Sequence, residues 1–209
     1  MKTLFLGAGY SIARRVAPET GGLYRESGWG PWPLDTVAQV HTLDNNAATG
    51  ARLLVDLTQF TPSGRWIVDA FPPDVALERD PGGWTLPSDA YDEVHAYEIL
   101  EHLGAQGDVR AFYRQMNEIW RILRAGGAFC GTVPSPRSIW AHGDPGHSRV
   151  LSPAVWVFVD REQYSPTRPP SSDYRRLCAC DFKTIAAYDD ARTHSFCLVA
   201  VKPARPFHD

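Results

Sequence analysis

The sequence predicts an α/β protein built on a doubly wound, mostly parallel sheet, and three stretches carry that expectation. The first is residues 91–134, which alternate, then turn helical, then become β-prone. In its middle, Val109, Phe112, Met116, Ile119, Trp120 and Leu123 recur at i, i+3, i+7, i+10, i+11 and i+14, one apolar stripe of an α-helix. Asp108 is placed to cap its start and Gly126 its end. Ala128 to Val133 is a short β-prone run closed by Pro134 and Pro136. Strand, helix and strand in that order make a parallel β-α-β unit. The second stretch is a buried strand over residues 3–6 that turns sharply through Gly7, Ala8 and Gly9. The third is a β-prone run over residues 38–43 that ends in Asp44, Asn45 and Asn46.

Composition bounds what such a chain can be. With 209 residues, 44% of them hydrophobic and 22% charged, one globular domain spanning 1–209 and burying a sizeable core is expected. A net charge of -3 supplies no general pull toward nucleic acid or anionic membrane, although a local basic groove is compatible with it. The four cysteines, Cys130, Cys178, Cys180 and Cys197, lack zinc-site spacing. One residue between Cys178 and Cys180 makes neither a CxxC redox motif nor half a zinc ribbon, so four reduced thiols in a cytoplasmic protein are expected. The first residues, MKTLFLGAGYSIARR, read as a strand and not a signal peptide, because Gly7 and Gly9 cut the apolar run and Arg14 and Arg15 follow. No apolar run is long enough to span a membrane, and no internal repeat is present.

Along the chain, the glycines at 7 and 9 let backbone approach a ligand where a Cβ would block it. The turn does not satisfy GxGxxG, since Ile12 takes the third glycine place, and this excludes a nicotinamide oxidoreductase. Residues 10–17 suit two helical turns before Pro18. The loop over 19–33 carries Tyr24, Trp29 and Trp32, either as pins to the surface or as an acceptor-binding lip. Asp44, a carboxylate ending the second strand, suits both hydroxyls of a ribose; its alternative is to start a turn. Residues 53–57, LLVDL, read as a third strand. Residues 58–89 read as an insertion reaching over the site, with 66–71 an extra strand or short helix. Ser152 suits an N-cap with Pro153 at N1. Beyond it come an apolar run over 155–159, a proline-rich connection over 164–172, closing strands over 182–188 and 196–201, and a tail over 203–209.

The pattern DEVxAxxxLEHL at residues 92–103, the helix ending WRILRAGG, and the following strand ending in Val133 and Pro134 together resemble the class I S-adenosylmethionine-dependent methyltransferases, in the branch of small single domains. The resemblance covers roughly residues 3–153. It implies a Rossmann-like sheet with helices on both faces and an antiparallel last strand, to which FCLVAVKP at 196–203 is similar. It also implies S-adenosylmethionine as cofactor, held by Gly7, Ala8, Gly9, Asp44, Asn45, Asp56, Leu57, Tyr97 and Glu98. Asp56 matches the position beside the adenine, and Leu57 would offer backbone and apolar surface. Two departures stand out: Phe5 occupies the place of an acidic residue, and Ser11 that of a third glycine. The usual partner of the methionine ammonium is therefore missing. Gly143, Asp144, Pro145, His147 and Arg149, followed by Ser152 and Pro153, resemble the GDPxHxR loop that borders the family's acceptor pocket, so residues 134–176 are expected as a lid.

Methyl transfer from a sulfonium is an in-line displacement, and holding donor and acceptor end to end can supply ~7–11 kcal/mol. A base is needed only for an acceptor that must lose a proton, and His102 and His147 are the candidates; a structural hydrogen bond is the other role open to each. Glu98, Glu101 and His102 fall at i, i+3 and i+4, on one face of a helical turn. With His147 they are similar to the metal ligands of the small-RNA ribose methyltransferases and the quinone-pathway O-methyltransferases, which implies Mg²⁺ or Mn²⁺; packing at a helix start is the alternative. The expected function is methyl transfer to an oxygen or nitrogen of a small-molecule or glycosyl acceptor. The alternatives are a binding scaffold whose site has degenerated at Phe5, and a metal-assisted O-methyltransferase acting on an RNA ribose or a vicinal diol. The low charge argues against RNA.

Overall fold

A computed structural model describes residues 1–7, 40–164, 172–190 and 195–204, without the side chains of 195–197. Seven strands form one sheet: β1 (Thr3–Leu6), β2 (Val40–Asp44), β3 (Leu53–Leu54), β6 (Tyr91–Tyr97), β7 (Leu123–Pro134), β8 (Lys183–Asp190) and β9 (Ser195–Val201), in the order β3-β2-β1-β6-β7-β9-β8. β4 (Glu78–Asp80) and β5 (Gly83–Thr85) pair separately as an antiparallel hairpin. β1 lies parallel to both β2 and β6, and β7 continues parallel to β6. β9 runs antiparallel between β7 and β8, as expected of the last strand. Strand order thus reverses at β1. The carboxyl ends of β1 and β6 border the crevice in which such sheets bind ligands.

Residues alternating along β1 serve two cores, as the two-residue period of a strand requires. Leu4 and Leu6 join Leu43, Val94, Ala96, Met116 and Ile119 in the larger one, and Phe5 joins Tyr97, Ala128, Cys130 and Val199 in a smaller one. The larger core is covered by α1 (Val109–Ile122), whose Asp108 accepts a hydrogen bond from the Ala111 amide at 3.0 Å, the predicted N-cap. The predicted end of α1 needs correction. Leu123 is already extended and opens β7, while Gly126 lies inside β7 with φ +81° and donates its amide to Lys202 O. Apart from α1, the described residues hold one further α-helix, the four-residue α2 (Trp140–Gly143). None is long and apolar enough to cross a membrane.

The third strand is two residues long, shorter than LLVDL suggested. Residues 66–71 form neither strand nor helix, only the isolated bridges Phe60↔Trp66 and Leu54↔Ala70. Trp66 is wholly buried against α1, where its amide donates to Glu118 Oε1 and its indole Nε1 to Gln115 Oε1. These contacts fasten the segment to the flank of α1. Ser152 precedes and Pro153 opens a 3-10 helix (Pro153–Val159), although the Ser152 side chain makes no capping bond. Ala8, Gly9, Ser11, the helical turns at 10–17, Tyr24, Trp29, Trp32, most of the 164–172 connection and most of the tail lie outside the described residues.

Candidate active site at the switch of strand order

Gly7 closes β1 with φ +57°, a conformation that favours glycine. A Cβ there would also stand 2.8 Å from the Ile99 side chain, so packing as well as backbone requires the glycine. At the end of β2 the half-buried Asp44 accepts the Asn46 amide at 2.8 Å, with Asn45 exposed beside it. Asp44 therefore starts a turn and still presents a carboxylate at the strand's carboxyl end.

Asp56 and Leu57 are placed differently from the strand-end residues. Asp56 Oδ1 accepts both the amide and the hydroxyl of Thr58, at 2.8 and 2.7 Å, and that hydroxyl is the main reason its carboxyl sits below the usual range. Leu57 is buried, and its carbonyl accepts from Gln115 Nε2 at 2.7 Å. Tyr97 turns into the smaller core, edge-on to Phe5, with its hydroxyl 2.6 Å from His95 Nδ1. Nε2 of the same buried histidine meets Glu93 Oε2 at 2.8 Å. Phe5 is 3% exposed, so an aromatic core contact stands where the resemblance implies an acidic residue.

The end of β6 is where the sequence-predicted residues converge. Glu98 holds a left-handed backbone with φ +55°, a strained state for a residue with a side chain, while its amide donates to Thr132 O. A single 3-10 turn (Leu100–His102) follows. It puts Glu101 in the interior at 2% exposure, and neither of its carboxylate oxygens has a hydrogen-bond partner. Burial pushes the Glu101 carboxyl up to about 8, with Glu98 and Asp144 adding to the rise. Two imidazoles face it: His102 Nε2 at 3.9 Å and His147 Nε2 at 3.8 Å from Oε1. The rings stand edge to face with centroids 4.7 Å apart, and Asp144 Oδ2 lies 3.8 Å from His147 Nε2.

Backbone carbonyls set the chemistry of both rings. His102 Nδ1 is 2.9 Å from Gly146 O, and His147 Nδ1 is 2.8 Å from Trp140 O. A carbonyl only accepts, so each Nδ1 carries hydrogen and each neutral ring presents a bare Nε2 lone pair toward Glu101. One ligand atom each from Glu101, His102 and His147 lies within 4.8 Å of the others. Such an arrangement can take up a proton or ligate a cation. The loop is fixed in place by Glu101 O, which accepts the Ser148 and Arg149 amides, and by Arg149, whose guanidinium donates to the carbonyls of Gly104, Ala105 and Asp108. Sequence reasoning finds the histidines but not the Gly146 and Trp140 carbonyls that orient them. Any residue has a carbonyl, so no sequence signal marks these two.

No protein-family model and no curated protein matches the chain. Among solved structures it is similar to the protein bound to the Haloferax volcanii Trm112 methyltransferase activator in their complex, at 16% identity and TM-score 0.50, over 97% of this chain and 82% of that one. It is also similar to a SAM-dependent methyltransferase from Archaeoglobus fulgidus, at 14% identity and TM-score 0.49, over 96% and 86%. A third is the N-methyltransferase NodS from Bradyrhizobium japonicum WM9, at 9% identity and TM-score 0.46, over 97% and 85%. The strand order, with its one antiparallel strand inserted before the edge, and the first of these likenesses give the chain the class I methyltransferase fold.

Proposed function

We propose that this chain, acting as one domain, transfers the methyl group of S-adenosylmethionine to an oxygen or nitrogen of a small-molecule or glycosyl acceptor. The observation that carries this reading is the placing of two unlike sites at one sheet end: the Asp44 carboxylate closing β2, and the Glu101, His102 and His147 cluster beyond β6. The cofactor would supply the electrophilic methyl. Asp44 would accept from the ribose hydroxyls, and the left-handed Gly7 would let backbone come close. The acidic side chain expected at position 5 for the ammonium does not fit, since Phe5 is core. On the acceptor side, residues 134–176 act as the lid, and a bare imidazole Nε2 takes the proton of an acceptor that must lose one. Segment 58–89 braces α1.

Calorimetry with S-adenosylmethionine and S-adenosylhomocysteine tests the reading before any acceptor is identified. Both should bind. Asp44→Ala should weaken S-adenosylhomocysteine at least tenfold, because a charged contact to ribose contributes about 1.5–3 kcal/mol. No binding of either by the folded wild type would favour the scaffold reading.

The orphaned Glu101 oxygens favour one refinement. A carboxylate inside the protein with two imidazole lone pairs aimed at it suits a Mg²⁺ or Mn²⁺ ion, and the Nδ1–H bonds are the outer support such ligands receive. Glu101, His102 and His147 would hold the ion, which when bound supplies Lewis-acid polarisation of an acceptor oxygen. With S-adenosylhomocysteine present, either ion should raise the melting temperature as its concentration passes the dissociation constant. The rise should vanish in Glu101→Gln and shrink in His147→Ala. An unmoved wild-type curve would leave the cluster as base and loop anchor alone.

A further inference from the structure

Cys178 and Cys180 stand apart from the methyl-transfer cluster, on the turn between Tyr174 and β8. Their sulfurs are 3.3 Å apart. The turn is built around them. Asn117 Oδ1, on α1, accepts the amides of Ala179 and Cys180 at 2.9 and 3.1 Å, while Asn117 Nδ2 donates to Leu177 O at 2.9 Å. Tyr174 O accepts the amides of Leu177 and Cys178. One side chain and one carbonyl thus hold the backbone from Leu177 to Cys180 and keep the two thiols converged.

We propose that Cys178 and Cys180 are a redox-active thiol pair that closes to a disulfide by exchange with a small aliphatic disulfide. Closure shortens the sulfur separation from 3.3 Å to roughly 2.05 Å, within a turn already formed. The two residues differ in access: Cys178 is 8% exposed and Cys180 is wholly buried. Cys178 therefore meets the incoming disulfide and Cys180 resolves the adduct. The hydrogen bond between the two sulfurs pulls the Cys178 thiol below its usual range and pushes the Cys180 thiol up, in keeping with those roles.

In the first step the Cys178 thiolate attacks one sulfur of the small disulfide, forming a mixed disulfide and expelling one thiolate. In the second, the deprotonated Cys180 sulfur attacks Cys178 Sγ and expels the other half. Two protein thiols are oxidised, one small disulfide is reduced, and the two thiol protons end on the two released thiols. Phe158 and Tyr174, whose carbonyls the Cys178 sulfur and amide face, line a cavity of about 160 Å³ with Phe112, Tyr113, Leu151 and Val155.

Oxidised glutathione is the probe. The folded chain is incubated with it, free thiols are alkylated, and the digest is mapped by mass spectrometry. Wild type should yield the Cys178–Cys180 peptide unalkylated and lighter by two hydrogens, reversed by dithiothreitol. Cys180→Ser should arrest at a Cys178–glutathione mixed disulfide, and Cys178→Ser should leave Cys180 reduced. Alkylation of both cysteines in oxidised wild type, or glutathione on Cys180 in Cys178→Ser, would overturn the proposal. The wild-type map needs no variant and is independent of methyl transfer.

Discussion

His41 on β2 shows how one side chain links sequence to stability. Its ring lies edge-on to Tyr91 and its Nδ1 is 2.8 Å from the Tyr91 hydroxyl. Burial, with Lys2 and Arg52 nearby, pulls its pKa down from 6.5 to about 4. The folded chain thus binds this proton less readily than the unfolded chain. The contribution is present in full above 6.5 and is lost as pH falls toward 4. His41→Gln should flatten that part of the stability profile, a difference of up to roughly 3 kcal/mol in chemical denaturation. An unchanged slope would assign acid sensitivity to other groups. Legibility at this scale was uneven. Glu101 and His102 were readable as neighbours able to do chemistry, and His147 as the loop residue facing them. The burial of Glu101 was not, because it depends on Ser148 and Arg149 closing over the turn from more than forty positions away.

At the level of elements, α1 was the most legible part of the chain, because its apolar stripe and its cap agree. Asp108→Ala should lower stability by about 1 kcal/mol in urea unfolding, since it removes the acceptor for the Ala111 amide. The Arg149 bond to the Asp108 carbonyl survives the substitution, so a much larger loss would mean the carboxylate does more than cap. The far end of α1 departs from the sequence pattern for a physical reason: Leu123 continues the apolar stripe in sequence but is buried as a strand residue, and the glycine at 126 lies in β7 where its register with β6 shifts. Segment 58–89 has neither a helical nor a strand period. Its order comes from Trp66 lodging against Gln115 and Glu118, which is tertiary information. The Asp-Pro-Gly run before Gly83 was the one local signal of the β4–β5 hairpin.

For the whole molecule, the net charge of -3 bears directly on the choice of acceptor. Single-stranded RNA should bind no more tightly than about 10⁻⁴ M at physiological salt, and tight binding with a steep salt slope would reopen the RNA ribose reading. The position of β9 has a consequence for how the chain comes to be folded at all. β9 is made after β8 yet must slot between β8 and β7, so the sheet cannot zip up in the order of synthesis. At translation rates of about 5–20 residues per second, the outer edge of β7 stays unpaired by β9 for roughly 3–13 s while residues 135–201 are made. That edge is a long apolar strand with open backbone donors and acceptors, a template for pairing with another chain. Nascent chains that stop short of β9, and not the finished protein, are the species expected to need a chaperone.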